Sequence, residues 1–328
     1  MQAVWIEDKQ LSLRSVEQPV PREHEVLLAV DAAGICGTDL ELQRGYYDFT
    51  GIPGHEFVAT VVSGPQQWQG RRVVSDINIG CGECTLCESG LRKHCEQRRV
   101  IGIRHQAGAF CENISVPITN LLEVPDHIED WQAVLIEPLA AALQILEQVN
   151  FTATSRVMIV GAGRLARIIA RVLLTRMDRL WVVARSPGRD RDFDTNVTML
   201  RPDEVTPQFD CVIECTGQPS GFELALLATP AMGQIIVKST YAGPLNLDLS
   251  RIVVDEIRLV GSRCGSMHKA LDWLGSGQVT LDGFRCRYHP LTAFRQAFRD
   301  AEDAEISKVI FKPSAQVSPL FQPLLAIR

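Results

Sequence analysis

Long apolar runs, an export leader and a surplus of positive charge are all missing from this sequence, and each absence excludes something. No uninterrupted apolar run is long enough to span a bilayer. Lys and Arg number 33 against 39 acids, a net charge of −6 with the signs interspersed, so neither a nucleic-acid partner nor an anionic membrane surface is expected. The opening residues MQAVWIEDKQ lack a basic segment followed by an apolar one, so no secretory signal is visible and a cytoplasmic location is expected. In that setting the ten cysteines are expected to serve metals or chemistry rather than bridges. What the chain does have is ordinary for a soluble globular protein, with 46% hydrophobic and 22% charged residues. Its 328 residues exceed the size at which single cores stop growing, so two domains are expected.

Residues 1 to about 125 read as short β-rich runs broken by Gly, Pro and polar residues, among them Glu25–Ala32, His55–Val62 and Arg71–Ile77. Strands this short and frequent suggest an antiparallel, barrel-like domain. After Asp126 the pattern changes. Trp131–Val149 carries apolar residues at helical spacing, and Val157–Val160 is a fully apolar strand. Leu180–Val183, Cys211–Glu214, Gln234–Lys238 and Arg258–Val260 follow as short buried strands with helical segments between most of them, the signature of a doubly wound parallel sheet. From about Phe284 the chain returns to mixed structure: a strand at Arg285–His289, a helix at Leu291–Ala301 and an edge strand at Lys308–Lys312. This tail is expected to complete the first domain, giving boundaries of 1–127 with 284–328 for one domain and 128–283 for the other.

Cys81, Cys84, Cys87 and Cys95 stand at C-x2-C-x2-C-x7-C spacing in one loop-like stretch. Thiolates this close can converge on one tetrahedral Zn2+, and a site closed by four sulfurs leaves no position for substrate, so it is structural. The alternatives are disulfides or unpaired thiols, which compartment and spacing disfavour. Cys36, His55, Glu56 and Glu137 form a second candidate set, each flanked by turn-forming residues. Cys, His and carboxylate together suit Zn2+ with an exchangeable position.

Gly161-Ala162-Gly163 follows the apolar Val157–Val160 run and opens a helix, the context in which a glycine fingerprint binds a pyrophosphate. Gly161 permits the tight turn, Gly163 lets the backbone approach, and Ala166 takes the third position. The tip of the second strand is Ala184-Arg185-Ser186, without the acid that binds a ribose 2′-hydroxyl. Arg185 and Ser186 could instead bind a 2′-phosphate, with Arg189 or Arg191 in support, so NADP(H) is expected over NAD(H); the other reading of Arg185 is a solvated loop residue. The full candidate cofactor set is Gly161, Gly163, Arg164, Leu165, Arg185, Ser186, Thr216, Lys238 and Ser239.

GICGTD, GHE, the four-cysteine loop, EPLA and GAG, in this order, resemble the zinc-containing alcohol dehydrogenases of the medium-chain dehydrogenase/reductase superfamily. The resemblance runs to about Pro313, is closest to the sorbitol and threonine dehydrogenase branch, and points within it to an uncharacterised subgroup through GYYDFTGIPGHEF and KSTYAGP. It implies an α/β protein made of a GroES-like β-barrel catalytic domain and a Rossmann domain, with substrate in the cleft between them. It implies two zinc ions per chain: a catalytic one on Cys36, His55 and Glu56 with Glu137 as exchangeable ligand, and a structural one on Cys81, Cys84, Cys87 and Cys95. Thr38 matches the hydroxyl that hydrogen-bonds the substrate oxygen. Two departures stand out: the position that often holds a proton-relay histidine is Glu41, and the usual strand-tip Asp is Ala184. The implied activity is hydride transfer between an alcohol and its aldehyde or ketone, with a small-molecule substrate and a homodimeric or homotetrameric assembly. The competing readings are a zinc-independent quinone or enoyl reductase on the same fold, and a non-catalytic NADPH-binding protein; the intact Cys36, His55 and Glu56 weigh against both.

Overall fold

A computed structural model describes residues 1–185, 193–241, 244–245 and 247–313. They form two compact units: Met1–Val124 together with the residues from Arg285 onward, and Pro125–Phe284.

The first unit is organised around a seven-stranded sheet. Its path runs Leu121–Glu123, Arg72–Ser75, Glu56–Ser63, Glu25–Gly34, Lys308–Phe311 and Cys286–His289, and Asn113–Pro117 also pairs with Glu25–Gly34. Neighbours are antiparallel except the last two strands, which run parallel. Glu25–Gly34 is buried on both faces for most of its length, which is why its sequence, EVLLAVDAAG, is apolar nearly throughout rather than alternating. Register shifts beside Leu28 and Ala32 bend this strand, and such irregularities curl a sheet. Phe110 and Phe311 pack edge to face in the core, with centroids 4.9 Å apart.

One sequence expectation fails here. Lys308–Lys312 was expected at the edge of a sheet, but Lys308–Phe311 lies between Glu25–Gly34 and Cys286–His289, and the latter is the edge. A four-residue apolar run carries no mark of which partners it will find far away in sequence. Burial of all four residues is the consequence of pairing on both sides.

The second unit holds a six-stranded, all-parallel sheet in the order Val197–Leu200, Leu180–Val183, Val157–Val160, Cys211–Glu214, Gln234–Val237, Arg258–Gly261. This is the doubly wound order, and it reverses between Val157–Val160 and Cys211–Glu214, where such sheets open a crevice at the strands' carboxyl ends. The helix Arg164–Leu174 buries Ala166, Arg167, Ile168, Ile169, Ala170, Val172 and Leu173, most of its circumference, as expected of a helix packed within an α/β domain. Val197–Leu200 was not legible as a strand, because this edge segment is half exposed and lacks a uniform apolar run. The expected Trp131–Val149 helix is two helices, Asp130–Val134 and Ile136–Gln148. Pro138 explains the break: it has no N–H to continue the first helix and is tolerated in the first turn of a new one. No helix among the described residues is long and apolar enough to cross a membrane.

Candidate metal centres and cofactor turn

In the first unit, a sulfur of Cys36, a ring nitrogen of His55 and a carboxylate oxygen of Glu56 all lie within 4.8 Å of one another. Sheet pairing makes this happen. Gly34 pairs with Glu56, so the end of one strand and the start of its neighbour bring the two ligand-bearing segments side by side. Cys36 then caps the short helix Gly37–Gln43, and Gly54 precedes the histidine with φ +100°. A Cβ on Gly54 would stand 2.4 Å from the Phe110 ring, so a side chain there would have to displace the core.

Asp39, fully buried, ties the segments together. Its Oδ2 accepts the Cys36 N–H at 2.8 Å and its Oδ1 accepts the Gly54 N–H at 3.1 Å. The same Oδ1 lies 3.5 Å from the buried His55 Nδ1, which has no hydrogen-bond partner among the described residues. Burial opposes charge on His55, but the neighbouring Asp39 and Cys36 outweigh it and hold the imidazole well above its ordinary value. Burial likewise opposes a Cys36 thiolate, and the His55 and Lys308 charges bring the thiol below its usual value nonetheless. Burial pulls the Lys308 ammonium down to about 8, against the charges of Cys36 and Asp39. Thiol, imidazole and carboxylate gathered in a buried, anionic pocket that draws a proton onto its histidine fit a zinc ion with a position left open.

The remaining residues predicted for this chemistry are placed as follows. Thr38 Oγ1 is 3.8 Å from Cys36 Sγ, at the mouth of the same helix. Glu41 is half exposed and its carboxylate accepts a 2.6 Å hydrogen bond from Arg44, not from any group of the Cys36 cluster. Glu137 lies in the second unit, in the first turn of Ile136–Gln148. Sequence reasoning missed Asp39 as an organiser and Lys308 altogether. Asp39 could have been found from its i+3 spacing to Cys36, which is that of a capping box.

The four-cysteine loop also converges, all four sulfurs lying within 4.8 Å of one another. Cys81 and Cys87 sulfurs are 3.9 Å apart and those of Cys84 and Cys95 are 3.8 Å apart. Zn–S bonds of about 2.3 Å in a tetrahedron require sulfur separations of about 3.8 Å. All ten cysteines are free thiols, so the disulfide alternative is not realised. Backbone N–H groups of Glu83 and Cys84 pull the Cys81 thiol down to about 7; at Cys84 the Cys87 N–H acts the same way, but burial and the neighbouring sulfurs prevail and push that thiol up to about 11. Of the five cysteines outside the two sets, Cys111 and Cys211 are buried, whereas Cys215, Cys264 and Cys286 are partly exposed.

In the second unit Gly161 turns with φ +110°, directly after Val157–Val160, and its N–H bonds Val183 O at 3.0 Å. Gly163 caps Arg164–Leu174, and a Cβ there would meet nothing within 4 Å, so there is room beside the backbone at the start of the helix. Ala166, by contrast, is fully buried, as its packing role requires. Thr216 and Ser239 stand at the carboxyl ends of neighbouring strands. The Thr216 hydroxyl donates to Glu214 Oε1 at 2.5 Å, and Ser239 Oγ accepts the Gly217 N–H at 2.8 Å. Lys238, expected at the cofactor, directs its ammonium to Ala141 O, Ser262 Oγ and Arg263 O at 2.7, 3.2 and 3.0 Å, so its donors are spent on the protein. Arg185 is exposed at the strand tip beyond Ala184. Ser186, Arg189 and Arg191 lie outside the described residues.

Comparison with known proteins agrees with this anatomy. Residues 22–126 match the alcohol dehydrogenase GroES-like domain. D-arabinitol dehydrogenase 1 of Uromyces fabae is 27% identical, over 96% of this chain and 97% of its own. Among solved structures, an alcohol dehydrogenase from Escherichia coli CFT073 with NADH bound superposes with a TM-score of 0.86 at 24% identity, covering 95% of this chain and 99% of that one. A zinc-binding dehydrogenase from Sinorhizobium meliloti 1021 with NADP bound does so with a TM-score of 0.84 at 25% identity and the same coverage.

Proposed function

We propose that this chain, which belongs to the zinc-type alcohol dehydrogenases of the medium-chain dehydrogenase/reductase superfamily, interconverts a hydroxyl of a small polyol and the matching carbonyl with NADP(H) as cofactor. The observation that carries this reading is the convergence of Cys36, His55 and Glu56 in one buried anionic pocket. The polyol class rests on the likeness to D-arabinitol dehydrogenase 1, and the NADP preference on the acid-free tip at Ala184-Arg185.

In this reading Cys36, His55 and Glu56 hold a catalytic zinc, Glu137 is its exchangeable ligand, and Cys81, Cys84, Cys87 and Cys95 hold a structural zinc. When bound at the first site, zinc supplies Lewis-acid polarisation of the substrate oxygen. Thr38 then orients that oxygen and takes or returns its proton through its hydroxyl. Asp39 accepts the Cys36 and Gly54 N–H groups and so holds the two ligand-bearing segments together, with its charge beside the His55 ring. The turn at Gly161–Gly163 and the start of Arg164–Leu174 bind the cofactor pyrophosphate, with Thr216 and Ser239 at the same sheet edge.

A homodimer or homotetramer is part of the proposal. The Arg258–Gly261 strand ends the parallel sheet, and Leu259 on it is exposed, as are Leu249, Val253 and Val254 on the preceding helix. An unpaired strand beside exposed apolar side chains suits a second copy of the chain.

The test is a panel of polyols, simple alcohols and their carbonyl counterparts, assayed with both cofactors on protein of known zinc content. Turnover of polyols with NADP+ supports the reading. Zinc-loaded protein that oxidises none of them and reduces none of their carbonyl forms would overturn it.

A further inference from the structure

We propose that Lys308 is a positioning residue of the metal centre: its ammonium holds one oxygen of Glu56 and so restricts that carboxylate to a single bond to the metal. The inference rests on the reading of Glu56 as a ligand.

Three observations carry it. The first is contact: Lys308 Nζ forms an ion pair with Glu56 Oε2, and both residues are buried. The second is how Lys308 arrives there. Ile310 pairs with Gly34 and the Ile35 N–H bonds Val309 O at 2.9 Å, so the Lys308–Phe311 strand runs alongside the segment that leads into Cys36. A lysine at the head of a strand whose other residues are Val, Ile and Phe is an expensive choice, because a buried ammonium must be paired.

The third is charge. Cys36 as thiolate, Asp39 and Glu56 carry three negative charges in one buried pocket. A divalent ion and Lys308 together carry three positive ones, so with the exchangeable Glu137 away from the ion the loaded site is neutral only with the lysine present. Without it, a surplus negative charge stays buried. The freed Glu56 oxygen would then have a single strong attraction left, the metal itself. Two carboxylate oxygens on the ion donate more charge than one, which holds the metal tighter and makes it a poorer Lewis acid.

The experiment compares unmodified protein with Lys308→Met, which keeps length but removes charge, and with Lys308→Arg, which restores it. Zinc loss to a chelator is followed over time, and the visible spectrum is recorded after replacement with Co2+. The expected result for Lys308→Met is zinc loss slowed by about tenfold or more, with a weaker cobalt band as the coordination number rises. Lys308→Arg should return both towards the unmodified values. If Lys308→Met does not yield folded protein, the comparison moves to the Glu56→Gln background. There the lysine has no carboxylate to restrain, so adding Lys308→Met should change neither readout.

Retention and spectrum identical to the unmodified protein in Lys308→Met, or faster zinc loss, overturn the proposal. So does an effect of Lys308→Met that persists in the Glu56→Gln background. An unmodified protein with no ion at this site would remove the reading of Glu56 as a ligand. One that holds the ion while Lys308→Met changes nothing removes only the role of Lys308.

Discussion

Glu41 and Arg44 are bound to each other: the Arg44 guanidinium donates to the Glu41 carboxylate at 2.6 Å and, through its other nitrogen, to Glu302 at 2.8 Å. The bond to Glu41 is also the largest influence raising Arg44 above its ordinary value. The Glu41 carboxylate is committed to Arg44 and bonds no group of the Cys36 cluster. Glu41→Gln should therefore leave the midpoints of the pH–rate profile where they are. It should cost less than about 1 kcal/mol of stability, as for other half-exposed pairs. A displaced midpoint would restore Glu41 to the proton path.

Metal content provides a second check. Two ligand sets predict about two zinc ions per chain in protein purified without chelators. Cys36→Ser should keep the fold and bind one. Cys95→Ser should fail to accumulate as soluble protein, because a closed thiolate site contributes folding free energy outright. Absence of zinc by elemental analysis would sink both assignments, and a soluble, two-zinc Cys95→Ser protein would sink the structural one.

Asp300 gives a prediction that depends on pH. It accepts hydrogen bonds from Gln296 Nε2 at 2.7 Å and Arg287 Nη1 at 3.1 Å, and meets His289 Nε2 at 2.8 Å, tying the Phe294–Glu302 helix to the edge strand Cys286–His289. Burial pushes its carboxyl upward, but these donors prevail and hold it below the usual aspartate value. A depressed carboxyl contributes stability that is complete above the unfolded value, about 4, and is lost as pH falls through the folded one. Asp300→Asn should lower stability by about 1 to 3 kcal/mol at neutral pH and should be less sensitive than the parent to acid below about pH 4. Urea unfolding at pH 7 and pH 3 measures both. Equal midpoints for the two proteins at pH 7 would show that Asp300 holds nothing together.

What the sequence made legible follows from the range of the interactions involved. The four cysteines lie within one loop, so their spacing alone contains the geometry, and the sulfurs do converge. The strand-turn-helix at Val157–Leu174 is equally local, and its apolar run and glycines mark it directly. Lys308 was read only as part of an edge strand, because its partner Glu56 is joined to it through sheet register and not through sequence proximity. Lys238 shows the converse. Its place at a strand tip suggested a cofactor contact, but the tip also faces the Ile136–Gln148 helix, and the Ala141 carbonyl takes the ammonium. Position on an element was readable; the competition among acceptors around it was not.

Cofactor choice is the sharpest of these expectations, because it turns on a single exposed side chain. The Leu180–Val183 strand ends at Ala184, whose N–H is engaged with Leu200 O at 3.1 Å, and Arg185 follows it into solvent. Neither Ala184 nor Arg185 is an acid that could accept a ribose 2′-hydroxyl, and a guanidinium is available to a 2′-phosphate. A charged hydrogen bond of this kind contributes roughly 1.5 to 3 kcal/mol, which corresponds to a preference for NADPH over NADH of about tenfold to a hundredfold. Arg185→Ala should remove most of that preference and leave NADH affinity nearly unchanged, since NADH has no phosphate for the arginine to lose. Ala184→Asp should move the preference towards NADH by supplying the missing acceptor and repelling the phosphate. Dissociation constants of both reduced cofactors for the three proteins decide the matter. If the unmodified protein binds NADH as tightly as NADPH, Arg185 is a solvated loop residue and the preference has no source at this strand tip.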